Sequence, residues 1–295
     1  MRRFRTYHEV EGTGQGDVPA QVEAQLERLA RRLRDIRAVW LVASGKGGVG
    51  KSALTANLAA ALAADGLRVG ALDADLNGPS LARMLGAERA ALGVHDEGVE
   101  PASGVAGTRV MSTDLLLGAG DAPLRWREPE AFGFVWQSAL ETGALREFIA
   151  DVRWGSLDIL LLDLPPGTDK LMRTFQLLPD PAGVVLVTTP SEAAGAVVGR
   201  SVRLVEEQGV RRFGLVANMT AHRCHSCGAA QPLFAADAAR RLAESSGAEL
   251  WAEIPIDPDL ALHTDAGRPP ALSDDSEAAR AIRSLAARLA AEVAP

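Results

Sequence analysis

Lysine is almost missing from this chain. Of 31 basic residues only Lys46, Lys51 and Lys170 are lysine. Cysteine is rarer still: Cys224 and Cys227 are the two that occur, too few for a disulfide framework in 295 residues. Positive charge is also in deficit. A formal net charge of −7 argues against a protein whose main surface grips nucleic acid. No uninterrupted apolar run approaches the roughly 20 residues that span a bilayer. The start, Met1-Arg2-Arg3-Phe4-Arg5, is followed by polar residues, not by the apolar stretch of a secretory leader. These absences predict a cytoplasmic protein with no membrane segment and no nucleic-acid partner. Hydrophobic residues at 47% and charged residues at 23% are ordinary for a globular chain, long enough to bury a sizeable core.

Two of the three lysines fall in one glycine-rich run, Ser44-Gly45-Lys46-Gly47-Gly48-Val49-Gly50-Lys51-Ser52. It fits G-x-x-x-x-G-K-[ST] from Gly45 through Ser52. The backbone N–H groups of such a loop, here Gly45 to Gly50, wrap phosphates. Lys51 meets the β/γ oxygens, and the Ser52 hydroxyl ligates Mg²⁺. Glycine supplies the conformations and the close approach that other residues cannot. Ala38-Val39-Trp40-Leu41-Val42-Ala43 reads as a buried strand before the loop. Lys51 to Ala64 reads as a helix after it, with Leu54, Leu58 and Leu62 on one face. The helix N-terminus adds its dipole to anion binding. The pattern predicts a site for a nucleoside triphosphate such as ATP.

The rest of the chain alternates strand and helix patterns. Residues 1–18 form a polar, glycine-containing lead-in. Residues 19–37 predict an arginine-rich helix whose apolar stripe is Val22, Leu26, Leu29, Leu33 and Ile36, with the arginines on a solvated face. Strand-like runs follow at Leu67–Asp73, Arg109–Thr113, Leu157–Leu164, Gly183–Thr188, Arg212–Asn218 and Glu249–Ile254. Together they predict an α/β protein: a doubly wound, mostly parallel sheet flanked by helices, one P-loop domain over residues 19–295. Residues 86–108 and 118–130 are glycine- and proline-rich excursions. Ser273 to Ala294 reads as a terminal amphipathic helix with Asp274, Asp275 and Glu277 in its first turn. Its apolar stripe is Ile282, Leu285, Leu289 and Val293.

Two acidic loops suit a hard cation. Asp73-Ala74-Asp75 follows one predicted strand. The apolar run Leu160-Leu161-Leu162 ends in Asp163, the Walker B pattern that sets a carboxylate beside the metal. After it, Leu164-Pro165-Pro166-Gly167-Thr168 makes a stiff turn whose Gly167 N–H is placed to sense a γ-phosphate. Asn218 closes a strand across the sheet from the phosphate loop, where an amide can pair with adenine. Pro255, in Pro255-Ile256-Asp257-Pro258, helps frame the base.

Cys224-His225-Ser226-Cys227-Gly228 is a Cys-x-x-Cys on the loop leading away from Asn218. It lacks the helix-start setting of a thioredoxin-like pair. Two thiolates complete neither a tetrahedral zinc site nor a four-iron cluster. His222 and His225 are nearby candidates, but they crowd four ligands into six residues. A two-fold dimer with the loop, near 222–228, on its axis would present four thiolates to one shared centre.

The chain resembles the Mrp/ApbC family of P-loop ATPases that carry iron–sulfur clusters, over about residues 35–280. The resemblance rests on the loop with its extra lysine, Asp73-Ala74-Asp75-Leu76-Asn77-Gly78-Pro79-Ser80, Trp154-Gly155-Ser156-Leu157-Asp158 and Asp163-Leu164-Pro165-Pro166-Gly167-Thr168. Val187-Thr188-Thr189-Pro190, Asn218-Met219, Cys224-His225-Ser226-Cys227-Gly228 and Ile254-Pro255-Ile256-Asp257-Pro258 extend it. It implies that Lys46 reaches across a nucleotide-sandwich homodimer while Lys51 acts in cis. Asp75 would orient the attacking water, and Asp73 with Asp163 and Ser52 would organise Mg²⁺. It also implies a bridging [4Fe–4S] cluster on Cys224 and Cys227, received from scaffold proteins and passed to apo-proteins, with slow ATP hydrolysis. The chain departs from the family in three respects. Gly167-Thr168-Asp169-Lys170 stands where the family usually reads Gly-Thr-Gly-Asp. Trp126-Arg127-Glu128-Pro129 has Glu where the family often has Gly. The small N-terminal domain of many bacterial members is not seen. Two other kinds of P-loop ATPase remain as alternatives: one that targets tail-anchored proteins with a zinc ion (Zn²⁺) at its dimer interface, and a MinD/ParA-like spatial regulator.

Overall fold

The computed structural model describes residues 18–76, 78–88, 90, 92–95, 98–117, 133–178, 180–223, 229–235, 237–273 and 275–293. The lead-in before Val18, Asn77, Trp126–Pro129 and the Cys224–Gly228 loop lie outside them.

The first helix, α1 (Val18–Arg34), precedes β1 (Ile36–Ala43), and the glycine loop then leads into α2 (Lys51–Ala64). Next come β2 (Val69–Asp73), the short α3 (Leu81–Met84), β3 (Gly93–His95), β4 (Gly98–Glu100), β5 (Ala102–Ser103), β6 (Arg109–Met111) and α4 (Asp114–Leu117). The central part holds α5 (Gly133–Asp151), β7 (Leu157–Asp163), α6 (Thr168–Leu177), β8 (Gly183–Thr188) and α7 (Gly195–Glu207). The chain continues through β9 (Phe213–Arg223), β10 (Ala230–Pro232), α8 (Ala238–Ser246), β11 (Leu250–Ile256), α9 (Pro258–Asp265) and α10 (Glu277–Ala291).

The main sheet has nine strands in the order β10-β9-β8-β1-β7-β2-β6-β5, with β11 also paired to β9. The pairs linking β6, β2, β7, β1, β8, β9 and β11 are parallel. Among the described residues, β5 against β6 and β10 against β9 are the antiparallel pairs of this sheet. The central strands read as unbroken apolar runs because both faces are covered. One face packs Leu29 of α1, Phe148 and Ile149 of α5, Phe175 of α6 and Val202 of α7. The other packs Leu54, Leu58 and Leu62 of α2, Leu81 of α3, and Ile282, Leu285 and Leu289 of α10. The expected doubly wound α/β architecture is present.

Details differ from the sequence reading. Helix α2 is not a one-faced helix: Ala56, Ala59 and Ala60 are as buried as its leucines, because α2 is wedged between the sheet and the C-terminal elements. Ile36 opens β1 and does not belong to the first helix, while Leu26 of that helix is exposed. In α10 the Ser276 hydroxyl accepts from the Ala279 N–H and caps the helix, so of the three expected acids only Glu277 lies in its first turn. The stretch 86–108 holds the β3–β4 hairpin and β5, and α5 is a long helix that periodicity did not single out.

Candidate nucleotide site

The loop between β1 and α2 has the backbone that its glycines predict. Gly48 (φ 75°) and Gly50 (φ 79°) are left-handed, a region where a Cβ is unfavourable. Crowding fixes two positions independently of dihedral angle. A Cβ on Gly45 would sit 2.0 Å from Val197 Cγ1, and one on Gly50 would sit 2.3 Å from Asn218 Nδ2. A Cβ on Gly48 would meet nothing within 4 Å. Helix α2 starts at Lys51 with Gly50 as its N-cap, so no side chain caps its first turn. Its N-terminal N–H groups and dipole are thus presented as an anion-binding end.

Behind the loop lies a buried charged cluster. Lys51, only 7% exposed, places Nζ 2.7 Å from Oδ1 of the fully buried Asp163. The Ser52 hydroxyl donates to Asp163 Oδ2 at 2.5 Å, and the Thr55 hydroxyl donates to Oδ1 at 2.8 Å. Asp73 sits directly beside Asp163, since the two are register partners on β2 and β7. Its carboxylate accepts from the N–H groups of Asp75 (3.1 Å), Ser80 (2.8 Å) and Leu81 (3.0 Å) and from the Ser112 hydroxyl (3.3 Å). Burial, and then the charge of Asp163, push the Asp73 carboxyl up to about 7, against the opposing pull of its backbone donors. Two neighbouring buried carboxylates have a single ammonium, paired with Asp163, and that excess of negative charge fits a divalent cation. Among the described residues no group of three or more His, Cys, Asp or Glu is arranged to hold a metal ion. Such a cation would therefore complete its shell with phosphate and water oxygens, as Mg²⁺ commonly does.

The remaining predicted residues take distinct places. Lys46 is exposed at the loop tip, with Nζ 3.3 Å from the Ser191 hydroxyl. Asp75 is half-buried and accepts the Gly78 N–H at 3.3 Å. The Gly167 N–H, expected to sense a γ-phosphate, donates instead to the Ser44 carbonyl at 2.8 Å, pinning the turn before α6 to the glycine loop. Asn218, expected at adenine, uses its amide on the loop itself: Nδ2 donates to the Val49 carbonyl at 2.8 Å. Pro255 is half-buried on β11, one residue past Ile254, the register partner of Asn218. Cys224 and Cys227 lie outside the described residues, but Arg223 and Ala230, which bracket residues 224–229, are antiparallel partners in β9 and β10. The sequence reading missed Thr55 and Ser112. Thr55 had a signal, because it lies one helical turn after Lys51; Ser112 had none.

A family model described as ParA, NUBPL iron-transfer P-loop NTPase, matches residues 35–290. The chain belongs to this family. Curated relatives agree. An iron-sulfur cluster carrier protein of Saccharolobus solfataricus is 38% identical over 253 residues, which are 85% of this chain and 82% of that protein. One of Salmonella typhimurium is 34% identical over 273 residues, 92% of this chain and 71% of that protein. Among solved structures, a nucleotide-binding protein of Archaeoglobus fulgidus in complex with ADP superposes with a TM-score of 0.71 at 38% identity, covering 86% of this chain and 95% of that one. MinD of Aquifex aeolicus shares the fold, with a TM-score of 0.55 at 24% identity, covering 88% of this chain and 99% of that one. The glycine loop, Asp163 and the mostly parallel sheet of this chain all lie within the residues that the family model matches. No helix among its described residues is long and apolar enough to cross a membrane.

Proposed function

We propose that this protein is a slowly ATP-hydrolysing iron–sulfur cluster carrier. Two copies hold one [4Fe–4S] cluster between them and pass it to apo-proteins. The observation that carries the reading is one continuous strand, β9. It contacts the glycine loop through Asn218 and, past Arg223, enters the loop that contains both cysteines of the chain. Lys51 and the α2 N-terminus bind the phosphates. Ser52, Asp73 and Asp163 would hold Mg²⁺, which supplies charge neutralisation when bound. Lys46, exposed at the loop tip, reaches the phosphates of a second copy, and half-buried Asp75 orients water. Asn218 and Pro255 border the base. The cluster is cargo: four thiolates, Cys224 and Cys227 from each copy, meet its ligand count. Scaffold proteins are the donors, apo iron–sulfur proteins are the recipients, and the compartment is the cytoplasm. Residues 19–295 act as one domain.

Transfer is the test. The protein is reconstituted anaerobically and mixed with the apo form of a [4Fe–4S] enzyme, and recovery of that enzyme's activity is followed with and without Mg·ATP. Recovery is expected with the parent chain and is lost in Cys224→Ala. Equal recovery from free iron and sulfide at the same concentrations would contradict the carrier role.

A further inference from the structure

We infer that Asn218 is a positioning residue that couples the phosphate loop to the stem of the β9–β10 hairpin. The inference rests on the nucleotide reading of the loop. Its basis is a single peptide group. The Val49 carbonyl, which accepts the Asn218 Nδ2–H at 2.8 Å, belongs to the same planar unit as the Gly50 N–H. In a loop of this pattern that N–H is among those that turn toward phosphate. A phosphate and Asn218 thus hold the two ends of one rigid peptide. Loading one end polarises and orients the other. Sterics make the contact mutual, since a Cβ on left-handed Gly50 would sit 2.3 Å from Asn218 Nδ2.

The same side chain is tied to a distorted place in the strand. Asn218 Oδ1 accepts from the Met219 N–H at 3.0 Å, and Met219 has φ 59°, a left-handed conformation that a side-chain-bearing residue rarely adopts. Pairing slips at this point. Asn218 is the partner of Ile254, whereas His222 is the partner of Ile256, so Met219, Thr220 and Ala221 face the single residue Pro255. Pro255 has no N–H to offer the ladder. The bulge is held elsewhere: the Thr220 hydroxyl donates to the Ile254 carbonyl at 3.3 Å, and the Leu233 N–H donates to the Thr220 carbonyl at 3.0 Å. Immediately beyond it, Ala221, His222 and Arg223 pair with Pro232, Gln231 and Ala230. A bulge re-aims the strand that carries it. The Asn218 clamp therefore fixes the direction in which the stem leaves the sheet, and phosphate at the Gly50 end alters how firmly it does so. Signal from the nucleotide reaches the stem through one strand, without passing through the Gly167 turn.

Hydrogen exchange on the full-length, metal-cluster-free chain reads this directly. Mg·ADP is raised until the peptide covering residues 45–54 reaches constant protection, so that each variant is compared at full occupancy. In the parent chain the stem amides of 219–223, 229–231 and 233 are expected to exchange about tenfold more slowly with nucleotide than without. In Asn218→Ala, and in Asn218→Asp, which keeps the acceptor for Met219 but loses the donor to Val49, that response is expected to fall below about twofold. Met219→Gly removes the strained φ while leaving Asn218 in place. It is expected to reduce the stem response as well, which keeps the test decisive if an Asn218 variant folds poorly. A stem response of parental size in the folded Asn218 variants, or none in the parent chain while residues 45–54 are protected, would overturn the coupling alone. No protection at 45–54 in the parent chain would overturn the nucleotide reading, and the coupling with it.

Discussion

The two sites that β9 connects, the glycine loop beside Asn218 and the stem at its C-terminal end, are built on different principles. At the glycine loop the charged core is enclosed: Lys51, Asp73 and Asp163 are buried, with Lys51 and Ser52 held on Asp163 and the Ser80 and Leu81 N–H groups on Asp73, while Lys46 stays exposed. At the other end, β10 is exposed along its whole length, and β9 and β10 form only a short antiparallel stem. The buried groups all come from one copy and, on the proposed function, await nucleotide, a cation and the Lys46 of a second copy. On the proposed function, the exposed end leads into the loop whose two cysteines are half of a ligand set. On that reading, chemistry that one chain can enclose is fixed by packing, and chemistry that two chains would share is reached through an exposed stem.

The strongest way to break this contrast is to remove the buried ammonium. Lys51→Ala leaves Asp163 buried beside Asp73 without its ammonium, a loss expected to cost about 3–5 kcal/mol and to lower Tm by on the order of 10 °C. Differential scanning calorimetry of the nucleotide-free protein measures it, and a shift under 2 °C would mean that the cluster is not structurally required. Nucleotide affinity, measured by titration calorimetry, should fall at least about 100-fold in the same variant.

Lys46 sharpens the contrast, because it is a loop cation that the fold does not enclose. Lys46→Ala is expected to leave Tm within about 1 °C while cutting steady-state ATP hydrolysis by about 10²-fold or more, as removal of a trans cation does in related phosphoryl transfers. A Tm loss comparable to that of Lys51→Ala would place Lys46 among the structural charges.

The smallest effect belongs to a surface pair far from either end. Arg68 donates to Asp158 through its side chain and its backbone N–H, and this holds the Asp158 carboxyl down at about 2. Because the folded value lies below the ordinary carboxylate value, the pair's stabilisation is present above about pH 4 and disappears as pH falls through about 2. Exposure to solvent keeps it small. Asp158→Asn should therefore lower Tm by about 1–3 °C at pH 7 and by less as the pH falls toward 2.

Sequence made the loop end legible because its residues are chemically forced. In a chain with three lysines, two in one glycine run stand out, and an apolar strand ending in Asp163 has few other readings. The mostly parallel sheet followed from the alternation of apolar runs with helical stretches, but the order of its strands did not. What stayed hidden depends on contacts that no local pattern encodes. Helix α2 looked one-faced because alanine is silent about burial, yet its alanines are enclosed on the opposite side. Strand β9 seemed to end at Asn218 because Met219-Thr220-Ala221-His222-Arg223 has no strand periodicity; β10 extends it by pairing across the cysteine loop. Sequence alone put Asn218 near adenine; the partner its amide takes here, a backbone carbonyl 169 positions away, is visible only in three dimensions.

The measurement that tests the shared-cluster account most directly is anaerobic reconstitution with iron and sulfide, beside a Cys224→Ala/Cys227→Ala double variant. Metal, sulfide and solution mass are determined on the same samples. The account predicts about four irons and four sulfides per dimer, lost in the double variant. Stoichiometric zinc without sulfide, or a cluster retained by a monomer or by the double variant, would contradict it.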